Sequence, residues 1–276
     1  MSEHGIMRGA MLSAMALLAP LQAAAIIKPL SLILLLLATT HGVGVTDSPE
    51  EEKAFTEWFK EISARGSQEA FDKIATGEAP APGVYRVLSI NDLDAPEAVK
   101  NHFRSGIAKR RAGVMVVPVG RISSASKLLA MTPTRVLPDA ELRKRLPAPP
   151  SDVARTPLRS AKLINTNWCG TRTGIKSTGL QRIFLLETVG LIDFCEDSYR
   201  ESKGARIEVF KEELNATVGD TPAMAHMERS VDGRGMAALS WVTPEKSFQL
   251  RLVTDDGASI EKGAALLMQI AEGIDR

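Results

Sequence analysis

Two long uncharged stretches, separated by a single lysine, constrain this chain more than any other feature. Nineteen residues without charge lie between Arg8 and Lys28, and eighteen between Lys28 and Asp47. Either run approaches the roughly 20 apolar residues that span a bilayer. The first is diluted by alanine, Pro20 and Gln22, whereas the second holds a nine-residue apolar core from Leu30 to Ala38. That core has the length of a signal-peptide apolar region. Lys28 is its positive flank, and Gly42 and Gly44 stand at the −3 and −1 positions of a cut before Val45. Arg8 and Lys28 precede the core, while Asp47, Glu50, Glu51 and Glu52 follow it. Positive charge is retained on the cytoplasmic side. The expectation is therefore that residues 1–45 form a signal peptide or membrane anchor and that the remainder is exported, periplasmic or extracellular. Cleavage and retention both remain open.

Beyond residue 44 lie 232 residues, enough for one large domain or two small ones, with 32 basic and 32 acidic side chains. The neutrality conceals a pattern. Residues 45–100 carry 6 basic and 12 acidic groups, residues 101–162 carry 13 and 3, and residues 163–276 carry 13 and 17. Overall balance and expected export together argue against a nucleic-acid protein. Only two cysteines occur, Cys169 and Cys195. In an oxidising compartment an even pair at this separation reads as a disulfide.

The pattern of apolar positions predicts an α+β fold. Ser48 as N-cap, Pro49 at the first helical position and the acids after it start a helix whose apolar face is Ala54, Phe55, Trp58, Phe59 and Ile62. Gly66 is expected to end it. Ser67 then opens a second helix through Ala70, Phe71 and Ile74, closed by Gly77, so the pair forms a helical hairpin. Val84 to Ile90 reads as a strand, Ala95 to Arg111 as a helix and Gly113 to Val119 as a second strand, a β-α-β order. Six prolines between Thr132 and Pro157 mark residues 132–160 as a linker, helical only near Asp139 to Leu146. Arg143, Lys144, Arg145, Arg155 and Arg159, with Lys162 just beyond, make this region basic.

Residues 161–276 are the most legible part. Ile207 and Val209, then Ala237, Leu239 and Trp241, then Phe248, Leu250 and Leu252 alternate with other residues at strand period. Glycine- and proline-containing turns separate these runs, which predicts an antiparallel β-meander. A C-terminal helix opened by Ser259 would cover it with a stripe of Ile260, Gly263, Ala264, Leu267, Ile270, Ala271 and Ile274. The expected organisation is residues 1–45, an α/β segment over 46–131, the linker over 132–160 and an α+β domain over 161–276.

Candidate chemistry is sparse. Of four histidines only His102 and His226 follow the front end, and no zinc spacing is present. Gly170 and Gly174 enclose three residues where a phosphate loop needs four, and Ser177 sits one place too far for a nucleophile elbow. The carboxylate pairs Glu196/Asp197, Glu212/Glu213 and Asp255/Asp256 are adjacent in sequence, so on a strand each pair splits between two faces. Asn215 and Thr217 match a glycosylation sequon, a frequent chance pattern. The sharpest enzymatic reading is a thiol hydrolase of peptide or cell-wall amide bonds, with Cys169 as nucleophile and His226 as base. Cys195 competes with it as a disulfide partner. The leading expectation is a non-enzymatic binding domain without cofactor or metal. Its partner would be an envelope protein or an anionic envelope polymer, with the front end contacting the membrane.

Overall fold

The computed structural model describes residues 33–35, 49–76, 81–202 and 204–274. In chain order the first elements are β1 (Ile33–Leu35), α1 (Pro49–Ala75), β2 (Val84–Leu88), α2 (Glu97–Arg111), β3 (Val114–Val117), α3 (Ala125–Met131) and α4 (Asp139–Arg145). A run of strands follows: β4 (Lys162–Thr173), β5 (Lys176–Leu186), β6 (Gly190–Asp197), β7 (Arg206–Phe210), β8 (Ala216–Val218), β9 (Thr221–Ser230), β10 (Gly235–Val242) and β11 (Ser247–Thr254). Helix α5 (Ile260–Gly273) closes the chain. The fold is mixed α+β. Apart from Ile33–Leu35, the expected signal or anchor segment lies outside the described residues. Among the described residues no helix is long and apolar enough to cross a membrane.

The strands form two sheets. The larger has eight, in the order β3-β9-β10-β11-β6-β5-β4, with β8 beside β9. Every pairing in it is antiparallel except β3 with β9. The smaller is parallel, in the order β1-β7-β2. The alternating residues of the C-terminal strands put one face of the large sheet into the main core. Ala237, Leu239, Trp241, Phe248, Leu250 and Leu252 are buried there with Phe184, Ile192 and Phe194. Helix α5 lies on that face through Ile260, Leu267, Ile270 and Ala271. Gly263 faces the sheet so closely that a Cβ would come 2.5 Å from Leu252 Cδ2, which is why this turn of the stripe carries no side chain.

Four expectations are corrected. First, α1 runs unbroken from Pro49 to Ala75 in place of a hairpin broken at Gly66. A glycine inside a helix costs about 1 kcal/mol relative to alanine, too little to stop a helix whose Phe55 and Trp58 are anchored by packing. Second, the β-α-β run is no crossover unit, because β2 pairs β7 in the small sheet while β3 pairs β9 in the large one. Helix α2 buries Val99, Phe103 and Ile107 against Phe55, Trp58 and Phe210, so it does not pack back over a sheet shared by its flanking strands. Third, β7 leaves the meander, since Ile207 and Val209 are buried with Tyr199 and Val242 beside β2. Fourth, the proline-rich stretch is not a free linker. Leu137 and Leu142 pack on Leu180, Leu158 joins the main core, and Arg135 forms a bridge with Asn165 on β4.

Strands β4 and β5 form a long hairpin that the sequence reading leaves unassigned. Its tip holds Gly174 and Ile175 between the paired residues Thr173 and Lys176, with Gly174 at φ +60°. Gly174 therefore serves a tight turn, whereas Gly170, at φ +72°, lies in β4 where the register shifts beside Asp197.

Candidate functional site

Cys169 and Cys195 are joined as a disulfide, and no free cysteine remains. This bond removes the thiol that hydrolysis requires. It also stands apart from His226, because β6, which carries Cys195, lies three strand spacings from β9, which carries His226. That separation is roughly 14 Å. The Cys169/His226 pair is thus not assembled, a correction that follows from strand order and is invisible in sequence spacing. His102 is elsewhere again, stacked on Phe55 with ring centroids 4.6 Å apart in the α1/α2 packing.

The face of the large sheet opposite α5 carries a polar patch alongside two apolar clusters, Val242 with Ile207 and Val209, and Val117 with Ile122 and Val253. On it His226 and Glu228 stand two residues apart on β9, and Arg251 of β11 shares the pairing partner Ala238 with His226. Arg251 Nη2 donates to Asp193 Oδ2 at 2.6 Å, and Gln181 Nε2 donates to Asp193 Oδ1 at 2.8 Å. From α2, Arg110 reaches toward this layer and pairs with Glu213. Burial, with Arg110 and Arg251 adding positive charge nearby, pushes the His226 imidazole down to about 4, so it is neutral at neutral pH. Glu228 is 1% exposed, and burial pushes its carboxyl up from the usual range. His226 Nε2 and Glu228 Oε1 are buried without a hydrogen-bond partner among the described residues. In the sequence Arg110 has a place only among the cations that complement the dipole at the end of α2, and Glu228 has no role. The only available signal was that Glu228 continues the His226 face at strand period.

The carboxylate pair Glu196/Asp197 does split between faces. Asp197 packs beside Gly170 and Thr178, and its burial raises its pKa. Glu196 belongs to a buried ionic cluster at the end of the core. It accepts from Arg182 Nη2 at 2.7 Å, from Lys246 Nζ at 3.0 Å and from the Ser151 amide at 2.9 Å. Arg182 also donates to the Ser151 carbonyl and lies over the Phe194 ring. The contacts to Ser151, with those of Lys246 Nζ to the Pro149 carbonyl and the Ser151 hydroxyl, tie the proline-rich stretch to the sheet, which makes the cluster a clamp. Asn215 of the sequon engages the Ala225 main chain through both atoms of its amide, at 2.8 Å each. Among the described residues no group of His, Cys, Asp and Glu is placed to hold a metal ion.

The large sheet leaves one edge bare. β3 is its terminal strand, and no strand lies beyond it among the described residues. The Val231 amide donates to the Val117 carbonyl, so Val117 directs its main chain at β9. By alternation Val114 and Val116 turn their N–H and C=O groups outward. Met115 and Val117 bury their side chains against Ile122, Val253 and Leu128, which fixes the strand in place. At the far end of this edge Val116, Val119 and Val231 are 60%, 66% and 70% exposed. Nothing in the apolar run 113–119 distinguishes an edge strand from a central one, so this feature was illegible before the sheet order was known.

Fold and site together define a disulfide-stapled α+β protein with a covered polar layer and an open valine-bearing sheet edge. Compared with known proteins, the chain matches no family model, no curated protein and no solved structure.

Proposed function

We propose that this chain is an exported or membrane-anchored binding domain of the cell envelope, and that it engages a partner protein along the edge formed by β3. The observation that carries the reading is the conjunction at one place of outward-facing main-chain groups at Val114 and Val116 with the exposed side chains of Val116, Val119 and Val231. Bare sheet edges are templates for pairing, and proteins ordinarily blunt them with charge, proline or a covering element. Exposed valines along such an edge are a recurring mark of strand addition. The disulfide supports the oxidising compartment, in agreement with the uncharged front end and its flanking charges.

The test is a photo-crosslinking residue placed at Val116, at Val231 or at Ile175, the last being a comparably exposed position on the β4–β5 tip. The full chain is expressed in its native host and fractionated. Adducts of one defined mass at Val116 and Val231 but not at Ile175, in the exported fraction and with both cysteines blocked to alkylation, are expected. Equal labelling from all three sites, or a cytosolic chain with reactive thiols, would overturn the reading.

A further inference from the structure

The chemistry of the missing strand can be read from the charge around the edge. Between Glu97 and Asp139 the chain contains no carboxylate and eight Lys or Arg residues. Three arginines frame β3. Arg111 is exposed at the end of α2, three residues before the strand, and donates to the Leu214 carbonyl; Arg121 is half-buried just after the strand and lies near Glu228; and Arg229, also half-buried, is the β9 partner of Val116. Asp232, in the turn that follows β9, is paired with Arg234 at 3.2 Å and accepts a hydrogen bond from the Ser230 hydroxyl. Positive charge therefore predominates along the bare edge, where Glu228, the buried β9 partner of Met115, lies on the face opposite Val116.

Resting on the binding reading above, we infer that the partner supplies an extended segment bearing Asp or Glu at alternate positions, which adds to β3 as a further strand. In such a strand every second side chain lies on the same face as Val116 and Arg229, so carboxylates at period two would share a face with Arg229, while Arg111 and Arg121 add longer-range attraction from the two ends of β3. The intervening residues stand on the opposite face, beside Met115 and Val117. A second copy of this chain is a poor occupant, because an antiparallel β3-to-β3 pairing centred on Val116 would bring Arg111 of one copy toward Arg121 of the other. Like charges placed across a pairing are repulsive.

The experiment titrates the full chain with capped peptides of alternating Val and Glu, or of alternating Val and Lys. It follows fluorescence anisotropy and the amide-exchange protection of Val114 and Val116. The Glu peptide is expected to bind at least about tenfold more tightly than the Lys peptide, a difference of about 1.4 kcal/mol, and to protect both amides. Val116→Pro removes an outward N–H without removing a bond to β9, a substitution that edge strands tolerate. It should abolish protection and binding while leaving the unfolding midpoint within a few degrees. Arg229→Glu should reverse the peptide preference. Equal binding of both peptides with protection at the edge would overturn the acidic partner and leave the edge as the binding site. Failure of both peptides to protect Val114 and Val116 would overturn this inference, and if Val116 and Val231 also form no adducts, the binding reading falls with it. A β3-dependent dimer of the chain alone would replace the acidic strand by a second copy.

Discussion

Cys169 on β4 is bonded to Cys195 on β6 across the strand that separates them, with Gly179 of β5 in register with Cys169. Next-nearest strands lie too far apart in a flat sheet for such a bond, since two spacings exceed 9 Å by a little. Here the Cα atoms are 6.5 Å apart, because the register shifts between Cys169 and Arg172 and the sheet curls. Gly179 permits the curl: a Cβ there would lie 2.8 Å from Cys169 O on one side and 2.8 Å from Glu196 O on the other.

Gly179→Ala should therefore destabilise the fold by about 1–3 kcal/mol through overpacking. Removing the bridge with Cys195→Ser should cost about 3–4 kcal/mol in the chain-entropy model, given the separation of 26 residues. Denaturant midpoints of the two variants, with and without reductant, check both. A Gly179→Ala protein as stable as the parent would mean that the strands do not approach as described.

Glu196→Gln should cost about 3–5 kcal/mol, because it leaves the buried Arg182 guanidinium without its counter-charge. Replacing both residues, as in Arg182→Leu with Glu196→Leu, should recover much of the loss. Limited proteolysis adds a specific readout. The single variant should open the stretch around Ser151, whose amide and carbonyl the pair holds.

Stability should depend on pH through His226. Its folded pKa is depressed, so between its ordinary 6.5 and about 4 the unfolded chain binds a proton that the folded chain refuses. Stability is then lost as pH falls through that window, and His226→Gln should flatten the slope of the urea midpoint against pH. Glu228 acts with the opposite sign. Its raised pKa lets the folded state keep a proton longer than the unfolded chain, so its stabilising effect is lost as pH rises past the usual carboxylate range. Glu228→Gln should raise stability at neutral pH.

Gly66→Ala separates a continuous helix from a hairpin. Within the unbroken α1 it should stabilise by up to about 1 kcal/mol. At a left-handed helix terminus the same change would destabilise. Thermal midpoint and helical circular dichroism decide between the two.

Legibility tracked local chemistry. The α5 stripe was readable because Ile260, Leu267, Ile270 and Ala271 recur at helical period. The alternation of Leu239 and Trp241, and of Leu250 and Leu252, likewise fixed which face is buried. The cysteine pairing followed from there being two and no more. Strand neighbours were not readable, because β pairing is made by main-chain groups that every residue carries. Ile207 and Val209 alternate as well as Leu250 and Leu252 do, yet they belong to another sheet.

By itself, then, the sequence determined the α5 stripe, the buried face of the last strands, the disulfide partners and the charged asymmetry of residues 101–162. Tertiary structure alone decided that β3 is an edge and that His226 lies three strand spacings from Cys195 and five from Cys169. It also decided that Glu196 grips a stretch resembling a linker. Periodicity records which side of an element is apolar; only chain packing sets which main chain lies beside it, and here that choice leaves Val116 facing solvent.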